Sequence, residues 1–155
     1  MELEKALAIA EKVKDLLVPA CEKVVIAGSI KRRRPIVNDI DLVLVPKDRY
    51  AVDNILARLG KVRMAGMSIT RVQMDSISLD VYYATPETFA TLLLIRTGSA
   101  ENNIKLCTIA KKRGWHLAAN GDGLFDEKRR RIAGDSEESI YEALQLPWQE
   151  PWQRR

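Results

Sequence analysis

The sequence predicts an α+β fold built as two lobes. Three observations carry that expectation. Apolar stripes at helical spacing flank strands that alternate strictly with a period of two. The middle of the chain holds short strand-like runs separated by turn residues. A second, smaller set of helices and strands follows Thr97-Gly98-Ser99.

In residues 2–17, Leu3, Ala6, Leu7, Ala10, Val13, Leu16 and Leu17 recur every three or four positions, the stripe of an amphipathic helix ended by Pro19. Val24-Val25-Ile26-Ala27 reads as a short strand stopping at Gly28-Ser29, with Lys31 to Pro35 as a loop after it. A second strand begins near Asn38: Asp39, Asp41, Val43 and Val45 share one face, and Ile40, Leu42 and Leu44 share the other. Val52, Ile55, Leu56 and Leu59 then mark a helix from Tyr50 to Gly60. Lys61 to Ala65, Ser68 to Met74 and Ile77 to Tyr83 read as antiparallel strands joined by hairpins at Gly66 and Asp75-Ser76.

Thr85 with Pro86 predicts the start of a helix that runs through Phe89, Leu92, Leu93 and Ile95 to Gly98. Ser99 caps the next, which carries Ile104, Leu106, Ile109 and Ala110 and ends at Gly114. Trp115 to Leu117, Gly123 to Phe125 and Arg131 to Ala133 form a small sheet, and Asp135 with Glu138 makes a capping box for a last helix through Leu144. The tail, with Trp148 and Trp152, docks by its rings. The lobes are thus residues 1–97 and 98–155.

Composition narrows the function. The 155 residues are 46% apolar and 30% charged, with 25 Lys plus Arg against 21 Asp plus Glu and a formal net charge of +4. No apolar run approaches the ~18 residues of a membrane span, and Met-Glu-Leu-Glu-Lys is not a secretory start, so a cytoplasmic protein without a membrane partner is expected. Cys21, Cys107 and the single histidine His116 cannot assemble a thiolate or imidazole metal site, which leaves carboxylate oxygen as the only ligand chemistry. Runs of four, three and four at Lys31, Lys111 and Lys128 hold 11 of the 25 basic residues, a pattern equally suited to solvated faces and to phosphate contacts.

The informative feature is Asp39-Ile40-Asp41, because a period-two strand sets both carboxylates on one face. An isolated pair of this kind is more often two exposed turn residues. Asp80 changes the weighing: it is segregated from the apolar residues of its own strand and can join the other two. Carboxylates ~4 Å apart repel by ~4 kcal/mol at an effective dielectric near 20, so such a cluster takes up protons or binds a cation. Oxygen-only ligation favours Mg2+ or Mn2+, and a pair of such ions is the apparatus of in-line phosphoryl displacement. Gly28-Ser29 closes a strand just before this pair and leads into Lys31, Arg32, Arg33 and Arg34, so amides, a hydroxyl and guanidinium groups face any polyphosphate held there.

Gly28-Ser29, the basic residues after it and Asp39-Ile40-Asp41 resemble the nucleotidyltransferase signature, and Gly-Ser-Ile-Lys-Arg-Arg followed by Val-Asn-Asp-Ile-Asp-Leu is similar to the family X DNA polymerases. Leu79-Asp80-Val81, Arg96-Thr97-Gly98-Ser99, Asn103-Ile104-Lys105-Leu106, Gly123-Leu124-Phe125 and Leu146-Pro147-Trp148 follow in that family's order. The resemblance implies a polymerase beta-like palm of mixed or antiparallel strands with a small α+β C-terminal lobe. It implies two Mg2+ ions, with Mn2+ as a substitute, ligated by the catalytic Asp39, Asp41 and Asp80. Gly28, Ser29, Arg32, Gly98 and Asn103 would bind a nucleoside triphosphate, and Lys31, Arg33, Arg34, Lys105, Lys111, Arg113, Lys128, Arg129 and Arg130 would contact primer/template or gapped DNA.

The expected activity is therefore templated addition to a primer 3′-hydroxyl by a monomer, in gap filling or repair and with low accuracy. Ile95-Arg96 replaces the aromatic pair of animal members, Ser78 stands where an arginine usually neighbours the third aspartate, and Cys107 where a template-contacting arginine often sits. Nothing in the chain corresponds to the family's lyase domain or helix-hairpin-helix lobe, so duplex affinity is expected from the basic runs and falls with salt. The alternatives are template-independent transfer to RNA, protein or a small molecule, and a nucleic-acid-binding module without catalysis.

Overall fold

The computed structural model describes residues 1–155. Helix α1 (Leu3–Leu17) buries Ala6, Ala10, Val13 and Leu17, and a 3-10 turn at Val18–Ala20 delivers the chain to strand β1 (Cys21–Ala27). The loop expected after this strand gives way at its start to one helical turn, α2 (Gly28–Lys31), closed by the Arg32 amide donating to the Gly28 carbonyl. Strand β2 (Asp39–Pro46) and helix α3 (Arg49–Leu59) come next, the helix capped by Asp48, whose side chain accepts from the Ala51 amide. Strands β3 (Lys61–Ala65), β4 (Ile69–Gln73) and β5 (Ser78–Tyr83) complete a five-stranded sheet of order β1-β2-β5-β4-β3.

The sheet is mixed. The hairpins β3–β4 and β4–β5 are antiparallel as expected, β1 pairs antiparallel with β2, and β2 runs parallel to β5 with Asp41 opposite Asp80. Both faces of β2 are used, which is why its alternation is so regular. Ile40, Leu42 and Leu44 pack against α1 and α3, while Val43 and Val45 meet Phe89, Leu92 and Leu93 from the other side. Burial of apolar side chains on both faces contributes ~25 cal/mol per Å² and locks the register, since a one-residue slip would send Asp39 and Asp41 into the α1 layer.

Helix α4 (Phe89–Thr97) begins at Thr88, three residues later than Thr85-Pro86 predicts. Thr85 is engaged in a local turn instead: its Oγ1 accepts from the Thr88 amide and the Thr85 amide donates to Thr88 Oγ1. Threonine hydroxyls compete with helical bonding in this way. Ser99 caps α5 (Ala100–Lys112) as expected, accepting from the Asn102 amide. Strands β6 (His116–Ala118), β7 (Gly123–Phe125) and β8 (Arg131–Ala133) form the small antiparallel sheet.

The last helix, α6 (Glu137–Ala143), is capped by Ser136 and Ser139 rather than Asp135 and Glu138, because Asp135 is paired with Arg131 at 2.7 Å. Leu94 and Ile95 at the end of α4 already belong to the second core, with Leu106, Leu117, Leu124, Ile140 and Tyr141. Helix α4 therefore serves both lobes. Trp148 docks edge-on against Tyr141 with ring centroids 5.3 Å apart. No helix is long and apolar enough to cross a membrane.

Candidate functional site

The first half of the expected site comes together. Gly28, Ser29, Arg32, Asp39 and Asp41 line one open cavity of about 410 Å³, joined by Arg34, Ile36, Asn38 and Arg96. Strand β2 presents Asp39 and Asp41 at its start, just beyond where α4 covers the same face, and the β1–α2 corner brings Gly28 and Ser29 opposite them. Only glycine fits the corner. Gly28 has φ of +64°, and a Cβ there would collide with Asp41 Oδ2.

Electrostatic crowding sets this cavity apart. Burial, then the neighbouring Asp80 and Asp39 charges, raise the Asp41 carboxyl from 3.8 to about 7, with Arg96 and Arg32 opposing. Arg32 shifts the other way: burial and Arg34 lower its pKa, against the attraction of Asp41. Each sign of charge thus has too few partners of the other. A cation among the carboxylates and an anion among the guanidinium groups would relieve both, and strongly perturbed groups of this kind concentrate at functional sites.

The third aspartate is placed beside the pair and is not free. Asp80 is buried and neighbours Asp41 across β2–β5, but Arg71 of β4 grips it, with Nε donating to Oδ1 at 2.7 Å and Nη2 to Oδ2 at 3.3 Å. No three acidic, imidazole or thiol side chains are gathered into a metal shell. The Arg71 guanidinium offsets the like charges that Asp80 and its neighbouring carboxylates bring together. The donor chemistry still fits a hard divalent ion, since the groups are oxygen only and Asp41 is destabilised as an anion.

Arg71 was not among the expected site residues, and the β4–β5 register that sets it opposite Asp80 is the only feature that exposes it. Ser78, on the same strand as Asp80, donates its hydroxyl to Gln73. Arg96 is a second addition. It stacks on Tyr82 with its guanidinium 4.2 Å from the ring centroid and reaches the cavity wall from the end of α4.

At the lobe junction, Arg32 Nη1 donates to the Thr97 carbonyl at 2.6 Å and lies against Gly98, where φ is +73° and a Cβ would stand 3.0 Å from that nitrogen. Asn103 does not face the cavity: Nδ2 donates to the Ile95 carbonyl at 2.8 Å, while Oδ1 is buried without a partner. The bond ties α5 to α4.

The basic run splits by side. Arg32 and Arg34 face the cavity, whereas Lys31 and Arg33 lie on the opposite surface with Trp152, the Arg33 guanidinium 3.5 Å from the ring centroid. Arg113 is also not free for a phosphate, because it donates to the Ala143 and Leu144 carbonyls at the end of α6. Arg130 is paired with Asp126 in the turn where Arg129 has φ of +62°. Lys105, Lys111 and Lys128 are exposed.

Comparison with known proteins agrees over both lobes. Residues 92–155 match the family model described as DNA polymerase beta thumb. Over 101 residues the sequence is 32% identical to the DNA polymerase/3′-5′ exonuclease PolX of Bacillus subtilis (strain 168), a match covering 61% of this chain and 18% of that much longer protein. The fold follows that of a Leishmania infantum polymerase beta crystal structure, a ternary P/T complex, with a TM-score of 0.84 over 100% of this chain and 76% of that one, at 16% identity. In its second lobe, in sequence and in fold, this chain is thus similar to family X DNA polymerases, and it spans about a fifth of the length of the PolX protein it matches.

Proposed function

We propose that the chain is a metal-dependent nucleotidyltransferase, most simply a DNA polymerase of the family X type that extends a primer 3′-hydroxyl on a template, as in gap filling. The observation that carries this reading is one cavity in which Asp39 and Asp41 stand opposite Ser29 and Arg32, beside Asp80. Cation ligands on β2 and polyphosphate ligands on α2 and its C-terminal end thus line the same cavity.

In this reading Asp39 and Asp41 hold Mg2+ or Mn2+, with Asp80 as the third carboxylate. Bound there, the ions would neutralise the triphosphate and lower the pKa of the attacking hydroxyl. The chain's own groups do the rest. Ser29 and Arg32 hold the triphosphate, and the missing Cβ at Gly28 leaves Asp41 its room. The primer 3′-oxygen bonds to the α-phosphorus as the bond to the β-phosphate bridging oxygen breaks, and pyrophosphate leaves. Asp80, shared with Arg71, is the carboxylate offered to the hydroxyl proton. Arg32 ties this chemistry to the lobe junction through Thr97.

Template-independent transfer is the second reading, since the cavity of Ser29, Arg32, Asp39 and Asp41 would serve either acceptor. Labelled single-stranded, primed and gapped DNA, each offered dNTPs and then rNTPs in Mg2+ and Mn2+, tests both. The templated reading expects incorporation that follows the template and vanishes in Asp80→Asn. Extension that ignores template sequence transfers the conclusion to the second reading, and no transfer to any of these DNA acceptors defeats the polymerase reading.

A further inference from the structure

A second cleft of about 360 Å³ lies behind the candidate site, on the far side of Arg32 and Arg34, which line both. Its other walls are Ser99, Ala100 and Glu101 at the start of α5 and Arg154 and Arg155 of the tail. Four guanidinium groups therefore border it against one carboxylate, Glu101.

Two independent features point to an anion. The amides at the start of the 13-residue helix α5 add partial positive charge on this side. Arg154 is unusual in its own right: the residue is 2% exposed, Nε donates to the Gln149 carbonyl at 3.0 Å, Nη1 pairs with Glu137 at 3.2 Å, and Nη2 has no acceptor in the protein. A buried cationic donor without an acceptor is costly, and an oxyanion would satisfy it.

We infer that this cleft is a second oxyanion subsite, taking a phosphate-class anion between the Arg32–Arg34 wall, the start of α5 and Arg154. It differs from the first cavity in one decisive respect. There, Asp39 and Asp41 repel an anion until cations are bound; here Glu101 and the Glu137 carboxylate paired with Arg154 stand against four guanidinium groups, so the cleft binds without metal. Two sources supply such an anion: pyrophosphate released next door, which rests on the transfer reading above, or a backbone phosphate of nucleic acid, which does not.

The test is calorimetric titration of the full chain with pyrophosphate in EDTA, at fixed ionic strength. Ala100 is exposed at the first position of α5, where a carboxylate suits the helix, so Ala100→Glu should fold normally and weaken binding about tenfold. Ala100→Gln should bind like the parent, and Glu101→Gln should bind several-fold more tightly. Asp39→Asn, which removes a repelling charge from the first cavity alone, should change nothing. Wild-type affinity in Ala100→Glu, tightening in Asp39→Asn, or no saturable binding in the parent would each overturn the inference. Repeating the titration with a primed duplex present separates the sources: competition sensitive to Ala100→Glu assigns the anion to the nucleic-acid backbone, and undisturbed pyrophosphate binding assigns it to the free anion. Because neither arm measures transfer, an inactive protein that still binds pyrophosphate defeats only the reading of the first cavity.

Discussion

Lys31–Arg34 in the first lobe and Lys128–Arg131 in the second are each four consecutive basic residues, yet their surroundings are opposite. In the second run, Asp126 accepts from the Lys128 and Arg130 amides and from Arg130 Nε, while Arg131 bonds Asp135 and the Asp122 and Glu87 carbonyls. In the first, Arg32 has one carbonyl partner, Arg34 faces open cavities, and the nearby carboxylates are crowded against one another. A closed set of partners makes a turn, and an open set makes a place for ligands. What separates structure from function here is unresolved charge, not charge density.

The sharpest way to break that contrast is Asp41→Asn. If the crowding exists for a cation, this change should cost about a thousandfold in primer extension. It should also stabilise the divalent-free protein. The Asp41 pKa of about 7 lies above its ordinary 3.8, so the neutral acid is favoured by the fold. Stability is then full below pH ~4 and is lost as pH rises to ~7, by a few kcal/mol at most. Urea melts in EDTA at pH 5 and pH 8 should show that loss in the parent and a flatter profile in Asp41→Asn, with Mg2+ restoring the parent. A parent whose stability rises across this interval by the same amount as the variant's would show that the carboxylates are not in conflict.

Arg71 sharpens the comparison within the first lobe, because its guanidinium has a carboxylate of its own beside the cavity where Arg32 and Arg34 have none. Arg71→Gln should lower kcat for primer extension about tenfold to a hundredfold and leave KM for the nucleotide within about twofold, as a residue that orients Asp80 must. Arg71→Lys keeps the charge without the two-pronged geometry and should recover only part of the rate. A change in KM with unaltered kcat would make Arg71 a substrate contact instead.

Legibility in the sequence divides along the same line. The alternation from Asp39 to Val45 is readable because both faces of β2 are buried, so period, register and the placing of Asp39 and Asp41 all come from one apolar pattern. Helix starts expected at Thr85 and Asp135 are displaced because several adjacent hydroxyl and carboxylate groups can cap, and short-range partners such as Thr88 and Arg131 engage the expected caps instead. Arg71, the turned Asn103 and the buried Arg154 carry no local signal. Each depends on which residue a neighbouring element sets opposite, which spacing along one strand or helix does not encode.

Arg113 tests the satisfied side of the contrast. Its guanidinium closes α6 by donating to Ala143 and Leu144 at 3.0 and 2.8 Å, so Arg113→Ala should destabilise the fold by roughly 2 kcal/mol in a urea melt. Primer/template affinity should stay within about twofold. A loss of affinity with unchanged stability would return Arg113 to the nucleic-acid contacts the sequence suggested.

The smallest effect is expected at Arg130. Asp126 already accepts from two amides of its turn, and those bonds and Arg130 together hold its carboxyl below the ordinary range. Arg130→Gln removes one of three partners and leaves the turn closed. If the second run is structure, the slope of log Kd against log salt for a primed duplex should be the same in Arg130→Gln as in the parent. If Arg130 trades Asp126 for a phosphate on binding, that slope falls by about one. The two results differ even when affinity at a single salt concentration does not, because a counterion released from DNA is counted by the slope alone. Arg34→Gln, measured beside it, should show the drop that Arg130→Gln lacks if the open face of the first run meets DNA.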